Sequence, residues 1–88
     1  MYMKSIVGIV LYNPDIIRLK ENVAAISSQV DEVLFVDNHS DNINLVKKEI
    51  KGSHFSYIEN EANYGIAKAL NQICDYACCQ GYTWVLTL

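Results

Sequence analysis

Short apolar runs alternate with helical patterns along the chain, and this alternation constrains the fold more than any other feature. The intervening segments place apolar residues every three or four positions, which is typical of helices that bury one face. Strands separated by helices usually pair in parallel through right-handed crossovers. We therefore predict an α/β fold, a three-layer sandwich around one parallel sheet. The apolar runs are residues 6–11, 33–36, 55–58 and 84–86.

The composition allows one small domain over residues 1–88 and argues against nucleic acid as a partner. Hydrophobic residues make up 51% of the chain and charged residues 19%, which suits a buried core rather than a disordered chain. The net charge is −3, and no basic cluster exceeds the pair Lys47 and Lys48. An anionic ligand would therefore be held by backbone N–H groups, helix N-termini or a metal.

The cysteine pattern indicates a reducing compartment. Three cysteines, Cys74, Cys78 and Cys79, fall within one predicted helix, and an odd number there does not form a disulfide framework. We expect Cys74 to fill the core and Cys79 to face solvent. No apolar stretch approaches the length of a membrane span. The predicted location is cytoplasmic.

Ligands of open parallel sheets bind beyond the carboxyl ends of the strands, where the strand order reverses. Asp37 follows the second strand, so its carboxylate should project into this crevice. It could there accept the ring N3–H of uracil or thymine, or bind a ribose hydroxyl. The local sequence Asp37-Asn38-His39-Ser40 equally favours a simple turn, and only its combination with the neighbouring loops favours a ligand.

Two residues after the first strand lie on the other side of the same crevice. Tyr12 could pack as an aromatic residue or contact a nucleobase. The sequence Asn13-Pro14-Asp15 is explained by helix geometry alone. We therefore predict that Asn13 caps the first helix and that Pro14 is its first residue, although the Asn13 amide could also meet the ligand.

The third loop precedes the last helix. Asn63 can cap this helix while its amide faces a ligand, and Gly65 permits a close approach or an unusual backbone angle. Free N–H groups at this end would suit a diphosphate or a ribose. The predicted buried stripe of the helix is Ile66, Leu70, Ile73 and Ala77.

Other site classes find little support. His39 and His54 are too few and too isolated for a zinc site. The chain has no Gly-x-Gly-x-x-Gly after its first strand and no Walker loop, so neither a dinucleotide-binding domain nor a phosphate-binding loop is indicated.

Three segments together resemble the family 2 glycosyltransferases, and more narrowly their bacterial rhamnosyltransferase-like branch. They are Tyr-Asn-Pro at 12–14, Asp-Asn-x-Ser at 37–40 and Asn-x-Gly-Ile-Ala-x-Ala-x-Asn at 63–71. The resemblance implies the N-terminal half of a GT-A fold with strand order 3-2-1-4. It further implies transfer from a nucleoside-diphosphate sugar, such as dTDP-rhamnose, to a saccharide acceptor in cell-surface polysaccharide synthesis. A divalent metal, Mg²⁺ or Mn²⁺, would assist in the full-length enzyme.

The resemblance also assigns roles along the chain. The family's metal-binding aspartates and its catalytic base come after a strand like that of residues 82–88, so no catalytic residue and no metal ligand is expected up to Leu88. We expect a truncated donor-binding portion that is inactive alone, from a parent able to lie peripherally at the inner face of the membrane. The residues implied to bind the nucleotide sugar are Tyr12, Asn13, Asp37, Asn38, Asn63 and Gly65.

Two further expectations follow. Truncation would leave the fourth strand at a sheet edge with unpaired backbone groups, which predicts a homodimer through that edge. An alternative of a different class is a free-standing flavodoxin-like or receiver-like module that binds a small ligand and is complete at this length.

Overall fold

The structure is a computed structural model that describes residues 4–88. Helices and strands alternate as predicted, with a short 3₁₀ helix, Ser27–Gln29, after the first α-helix. No helix in this described part is long and apolar enough to span a membrane. The elements are β1 (Ser5–Leu11), α1 (Ile16–Ile26), β2 (Glu32–Asp37), α2 (Ile43–Glu49), β3 (Phe55–Glu59), α3 (Gly65–Cys79) and β4 (Trp84–Thr87).

The four strands form one parallel sheet in the order β3-β2-β1-β4, which confirms the predicted topology. Leu11 is aligned with Asp37, and Asp37 with Glu59, so the first three strands end at a common carboxyl edge. The chain adds β2 and β3 on one side of β1 and then crosses to add β4 on the other. A flavodoxin-like or receiver-like module would begin in the order 2-1-3, so the topology argues against that alternative.

Helices cover both faces of the sheet at β1 and β2, whose side chains are apolar on both sides. Ile73 of α3 packs over Gly8, where a Cβ atom would lie only 2.5 Å from Ile73 Cγ2. A glycine in β1 therefore allows α3 to approach the sheet closely. The core between the sheet and α1 and α2 contains Val7, Ile9, Leu11, Leu19, Val23, Val33, Phe35, Val46 and Ile50. The core beneath α3 contains Ile6, Leu34, Val36, Ala69, Ile73 and Ala77.

The predicted start of α1 is wrong. Its N-cap is Asp15, whose Oδ1 accepts a hydrogen bond from the Arg18 N–H at 3.1 Å. Asn13 has a φ of 45°, in the left-handed region, and its side chain accepts from the Asp41 N–H at 2.7 Å. An N-cap normally has an extended backbone, which Asn13 lacks. The chain turns at Asn13 instead, and Pro14 lies before the helix.

Two predictions about the buried side of α3 are also wrong. Ile66 is 62% exposed, and Cys74 is exposed as well, although the predicted exposure of Cys79 is confirmed. The Asn38 side chain, directly after β2, bonds to the Gly65 carbonyl, so the first turn of α3 lies at the end of the sheet. Ile66 therefore has little of the sheet beneath it, and burial begins at Ala69.

As predicted, β4 forms an edge of the sheet. It pairs with β1 through the register that aligns Ile6 with Val85. The apolar side chains of β4 and of Leu88 after it remain largely accessible: Trp84 is 56% exposed, Leu86 48% and Leu88 64%.

Candidate functional site

Three loops meet at the carboxyl edge of the sheet, namely residues 12–15, 38–42 and 60–64. Backbone hydrogen bonds extend the sheet into two of them. The Asn38 N–H donates to the Leu11 carbonyl, and the Asn60 N–H donates to the Asp37 carbonyl, each at 2.8 Å. The backbones of Asn38 and Asn60 are therefore fixed by the strands that precede them.

The first two loops are joined through Asn13. Its N–H donates to Ser40 Oγ at 2.8 Å, and its Oδ1 accepts from the Asp41 N–H. One residue further on, Asn42 Nδ2 donates to the Pro14 carbonyl at 3.0 Å. The predicted site residue Asn13 thus fixes the two loops relative to each other and does not cap a helix.

Asp37 lies at the predicted edge but is covered, which corrects the expectation of a carboxylate projecting into an open crevice. The residue is only 1% exposed. Its two carboxylate oxygens accept from the Ser40 N–H at 3.1 and 3.3 Å. His39, which lies between Asp37 and Ser40 in sequence, has a φ of 68°. The turn that the local sequence favours is therefore present.

A buried network of side-chain amides joins the second loop to the third. Asn38, 2% exposed, donates from Nδ2 to the Gly65 carbonyl at 3.2 Å. Its Oδ1 accepts from Asn60 Nδ2 at 3.0 Å and from the Tyr64 N–H at 3.4 Å. Asn60 and Gln72 exchange two hydrogen bonds, at 2.9 and 2.8 Å. Both polar atoms of the Asn38 amide are therefore engaged within the protein.

The start of α3 has an unusual backbone, as predicted for Gly65. Gly65 has a φ of 86°, and a Cβ there would meet no atom within 4 Å, so the backbone angle rather than space requires glycine. The N-cap is Tyr64, without a side-chain cap, which corrects the prediction for Asn63. Asn63 Oδ1 instead accepts from the Gly65 N–H at 2.9 Å.

Several groups at this edge are accessible to a ligand. Tyr12 is 57% exposed and Tyr64 is 46% exposed, so neither ring is packed in the core. Lys68 Nζ lies 4.9 Å from the centroid of the Tyr64 ring. Asn63, directly before Tyr64, is exposed as well. Aromatic faces, a carboxamide, an ammonium group and a helix N-terminus suit a ligand that is both aromatic and anionic.

The sequence interpretation missed Asn60, Gln72 and Tyr64. Asn60 could have been found by its position, since it follows β3 directly as Asn38 follows β2. Gln72 lies three residues after the buried Ala69, along the face that packs on the sheet. A polar residue on such a face is expected to have a hydrogen-bond partner.

Two cavities lie away from these loops. One, of about 180 Å³, is lined by residues of α1 and by the segment from Glu49 to Phe55. The other, of about 430 Å³, lies between α1 and Leu88. Neither includes a predicted site residue.

Comparison with protein families identifies the chain. The family model described as Glycosyl transferase family 2 matches residues 6–88. The chain belongs to glycosyl transferase family 2. The parallel sheet in the order 3-2-1-4, with helices on both faces, is the architecture of the N-terminal half of the GT-A fold. Comparison with curated proteins and with solved structures gives no match.

Members of glycosyl transferase family 2 often use a divalent metal, for which oxygen atoms of carboxylates are the usual protein ligands. Within residues 4–88, no group of three or more His, Cys, Asp or Glu side chains is placed to bind a metal ion. The three loops carry the exposed carboxylates of Asp15, Asp41 and Glu61, of which Asp15 caps α1, and Asp37 beside them is buried and bonded to Ser40. The described residues therefore do not form a metal centre, and the groups available to a ligand include amides, rings, backbone groups and the Lys68 ammonium group.

Proposed function

We propose that the carboxyl edge of the sheet binds the nucleoside diphosphate of a sugar donor, in an enzyme that passes the sugar to a saccharide acceptor. The general activity, glycosyl transfer from a nucleotide sugar, follows from family membership. One observation carries the location: buried side chains lock the three loops together while Tyr12, Asn63 and Tyr64 remain exposed beside them.

The topology supports this location. The strand order reverses between β1 and β4, and ligands of open parallel sheets bind at the carboxyl ends of strands at such a reversal. Tyr12 follows β1 directly, so its exposed ring is available to stack on a base. The N-terminus of α3, with Asn63 and Lys68 beside it, would receive the diphosphate.

Asp37 and Asn38 stay candidates for binding the nucleotide sugar, but they differ from Tyr12 and Asn63 because they are buried. Asp37 would reach a base or a ribose only if the Ser40 turn opened, because its carboxylate is covered and bonded there. Asp37→Asn keeps an acceptor for the Ser40 N–H, whereas Asp37→Ala removes it. Weaker nucleotide binding in both variants supports a direct contact, and weaker binding only in Asp37→Ala supports a role in holding the turn.

We propose dTDP-rhamnose as the donor and a bacterial cell-surface polysaccharide as the acceptor. The support is the resemblance of residues 12–14, 37–40 and 63–71 to the rhamnosyltransferase-like branch. A cytoplasmic location, peripheral to the inner face of the membrane, stays a prediction. So does the expectation that residues 1–88 supply the nucleotide-binding portion and transfer no sugar alone.

Titration followed by nuclear magnetic resonance tests the proposed site. We expect thymidine diphosphate and uridine diphosphate to bind in roughly the millimolar range, since few contacts are available. Tyr12→Ala should weaken binding by about threefold or more. Leu45→Ala, which removes an exposed apolar side chain from α2, is the control. Equal affinities in the two variants would contradict the site, and tighter binding of uridine diphosphate would contradict the thymidine donor.

We also propose that β4 pairs with β4 of a second copy to form a two-fold dimer. Within the described residues no strand lies on its outer side, and Leu86 and Leu88 are largely exposed. Leu86→Lys should shift light scattering toward the monomer across a dilution series. Ile17→Lys, at a 71% exposed position on α1, should not. A wild-type chain that stays monomeric at high concentration would overturn this proposal.

A further inference from the structure

We propose that Asn60 and Gln72 are positioning residues of the donor site and act through Asn38 on the Tyr64–Gly65 segment. The inference rests on the proposed function, because it concerns the same edge of the sheet. Asn38 and Asn60 are 2% and 8% exposed, so a ligand at the surface has almost no access to them. Any contribution of these two residues to binding must therefore pass through the groups that they hold. Gln72 is partly buried, and both polar atoms of its amide are bonded to Asn60.

The hydrogen bonds form a continuous path from α3 back to the loop before it. Gln72 Nε2 donates to Asn60 Oδ1 at 2.8 Å, and Asn60 Nδ2 donates to Gln72 Oε1 at 2.9 Å. Asn60 Nδ2 also donates to Asn38 Oδ1, which accepts from the Tyr64 N–H. Asn38 Nδ2 completes the path at the Gly65 carbonyl.

Only one orientation of these amides satisfies their partners. The Gly65 carbonyl can only accept and the Tyr64 N–H can only donate, which fixes the nitrogen and the oxygen of Asn38. The oxygen of Asn38 then requires a donor from Asn60, and Asn60 in turn fixes Gln72. Removing one member leaves a buried polar group without its partner, which is costly.

The segment held by this network is the one that faces a ligand. Gly65 is held at a φ of 86° at the start of α3, and Tyr64 carries an exposed ring. Asn38 is itself fixed to the sheet by its N–H bond to the Leu11 carbonyl. The network therefore transfers the position of the strand ends to the helix N-terminus, which lowers the cost of ordering this segment when a ligand binds.

Gln72→Met tests the proposal, because methionine has a similar length and makes no comparable hydrogen bond. Gln72→Glu is a second variant that keeps an acceptor for Asn60 and loses the donor. The control is Gln29→Met at the opposite edge, where the amide bonds only locally to the Ala25 carbonyl. Measurements are the ¹⁵N–H resonances of Tyr64 and Gly65 and the affinities for thymidine diphosphate and uridine diphosphate.

We expect both Gln72 variants to shift or broaden the Tyr64 and Gly65 resonances. Their nucleotide affinity should fall about three- to tenfold, the effect of roughly one hydrogen bond. The control should keep the wild-type values. In the background of Asn38→Ala, Gln72→Met should cause no further loss of affinity, because the path is already broken.

Contrary outcomes are distinguishable. Wild-type affinity in both Gln72 variants, or an equal loss with and without Asn38→Ala, would overturn the positioning role and leave the donor site standing. Absence of nucleotide binding by the wild-type chain would overturn the proposed function and the positioning role with it.

Discussion

The two ends of the sheet are cross-linked by different chemistry. At the carboxyl edge, neutral amides connect the loops. At the amino edge, carboxylates do so: Asp31 accepts from the Ser5 N–H at 2.7 Å, and Glu32 accepts from Ser56 Oγ at 2.6 Å, from Tyr76 Oη at 2.5 Å and from the Tyr82 hydroxyl. Glu32 thereby joins β2 to β3, to the end of α3 and to the segment before β4.

The charge at the amino edge alters the titration of the groups around it. Burial by itself would raise the pKa of Glu32, but hydrogen bonds from Ser56, Tyr76 and Tyr82 and the nearby Lys4 charge together lower it. Burial and the hydrogen bond to Glu32 raise the pKa of Tyr82 well above its ordinary value. We therefore expect the amino edge to supply pH-dependent stability, whereas the carboxyl edge orders loops beside exposed groups.

Asn38→Asp should have the largest effect and tests whether the carboxyl edge depends on its amides. The change replaces the donor to the Gly65 carbonyl by an oxygen and buries a charge, so we expect a loss of about 3 kcal/mol in the free energy of unfolding. Urea titration measures it. Asn44→Asp, at an exposed site on α2, should change stability by less than about 0.5 kcal/mol. Similar losses in both variants would remove the distinction between the edges.

Glu32→Gln tests whether the amino edge depends on the charge of this carboxylate. A neutral amide accepts weaker hydrogen bonds than a carboxylate and adds donors next to three hydroxyl groups, so we expect a loss of about 1–2 kcal/mol at pH 7. Glu21→Gln on the exposed face of α1 serves as the control and should have little effect. Nucleotide affinity should be unchanged, since the carboxyl edge is intact.

The pH dependence of unfolding sharpens the contrast. Because the pKa of Glu32 lies below its ordinary value of 4.5 in the folded state, its contribution is present above that value and is lost as the pH falls through the folded pKa. The wild-type free energy of unfolding should therefore fall more steeply below about pH 4.5 than that of Glu32→Gln. Parallel curves for the two proteins would show that the Glu32 cluster is not the source of the dependence.

The smallest expected effect is the coupling between the two edges, measured by combining one substitution at each edge. Tyr82→Phe removes one donor to Glu32 and should cost about 0.5–1 kcal/mol, with faster hydrogen exchange at the Leu88 amide, directly after β4. Combined with Gln72→Met, the losses should add within about 0.5 kcal/mol, because the two networks share no partner. A larger coupling between them would mean that the edges do not act independently.

The fold could be predicted because the strands contain short apolar runs, whereas the helices place apolar residues along one face. The loops could not, since their geometry depends on distant partners. Asn13 bonds to Ser40 and Asp41, 27 and 28 residues away, and these contacts favour a left-handed turn where a cap was predicted. Glu32 bonds to Tyr82 across 50 residues.

The grouping of the three loops at the carboxyl edge was predicted, but the burial of their side chains was not. The rule that ligands bind at carboxyl ends located all three loops. It did not distinguish residues that face solvent, such as Tyr12, from Asp37 and Asn38, which are enclosed by the loops that they hold. Burial of a polar side chain depends on whether its hydrogen bonds can be satisfied nearby, which requires knowing its neighbours in space.

The most direct test of the account is a map of amide resonances that change when thymidine diphosphate is added to the wild-type chain. We predict changes in residues 12–15, 38–42 and 60–66, with no change around Glu32, Ser56 and Tyr82. Changes centred on the amino edge, or on the cavity between α1 and the Glu49–Phe55 segment, would contradict the assignment of binding to the carboxyl edge.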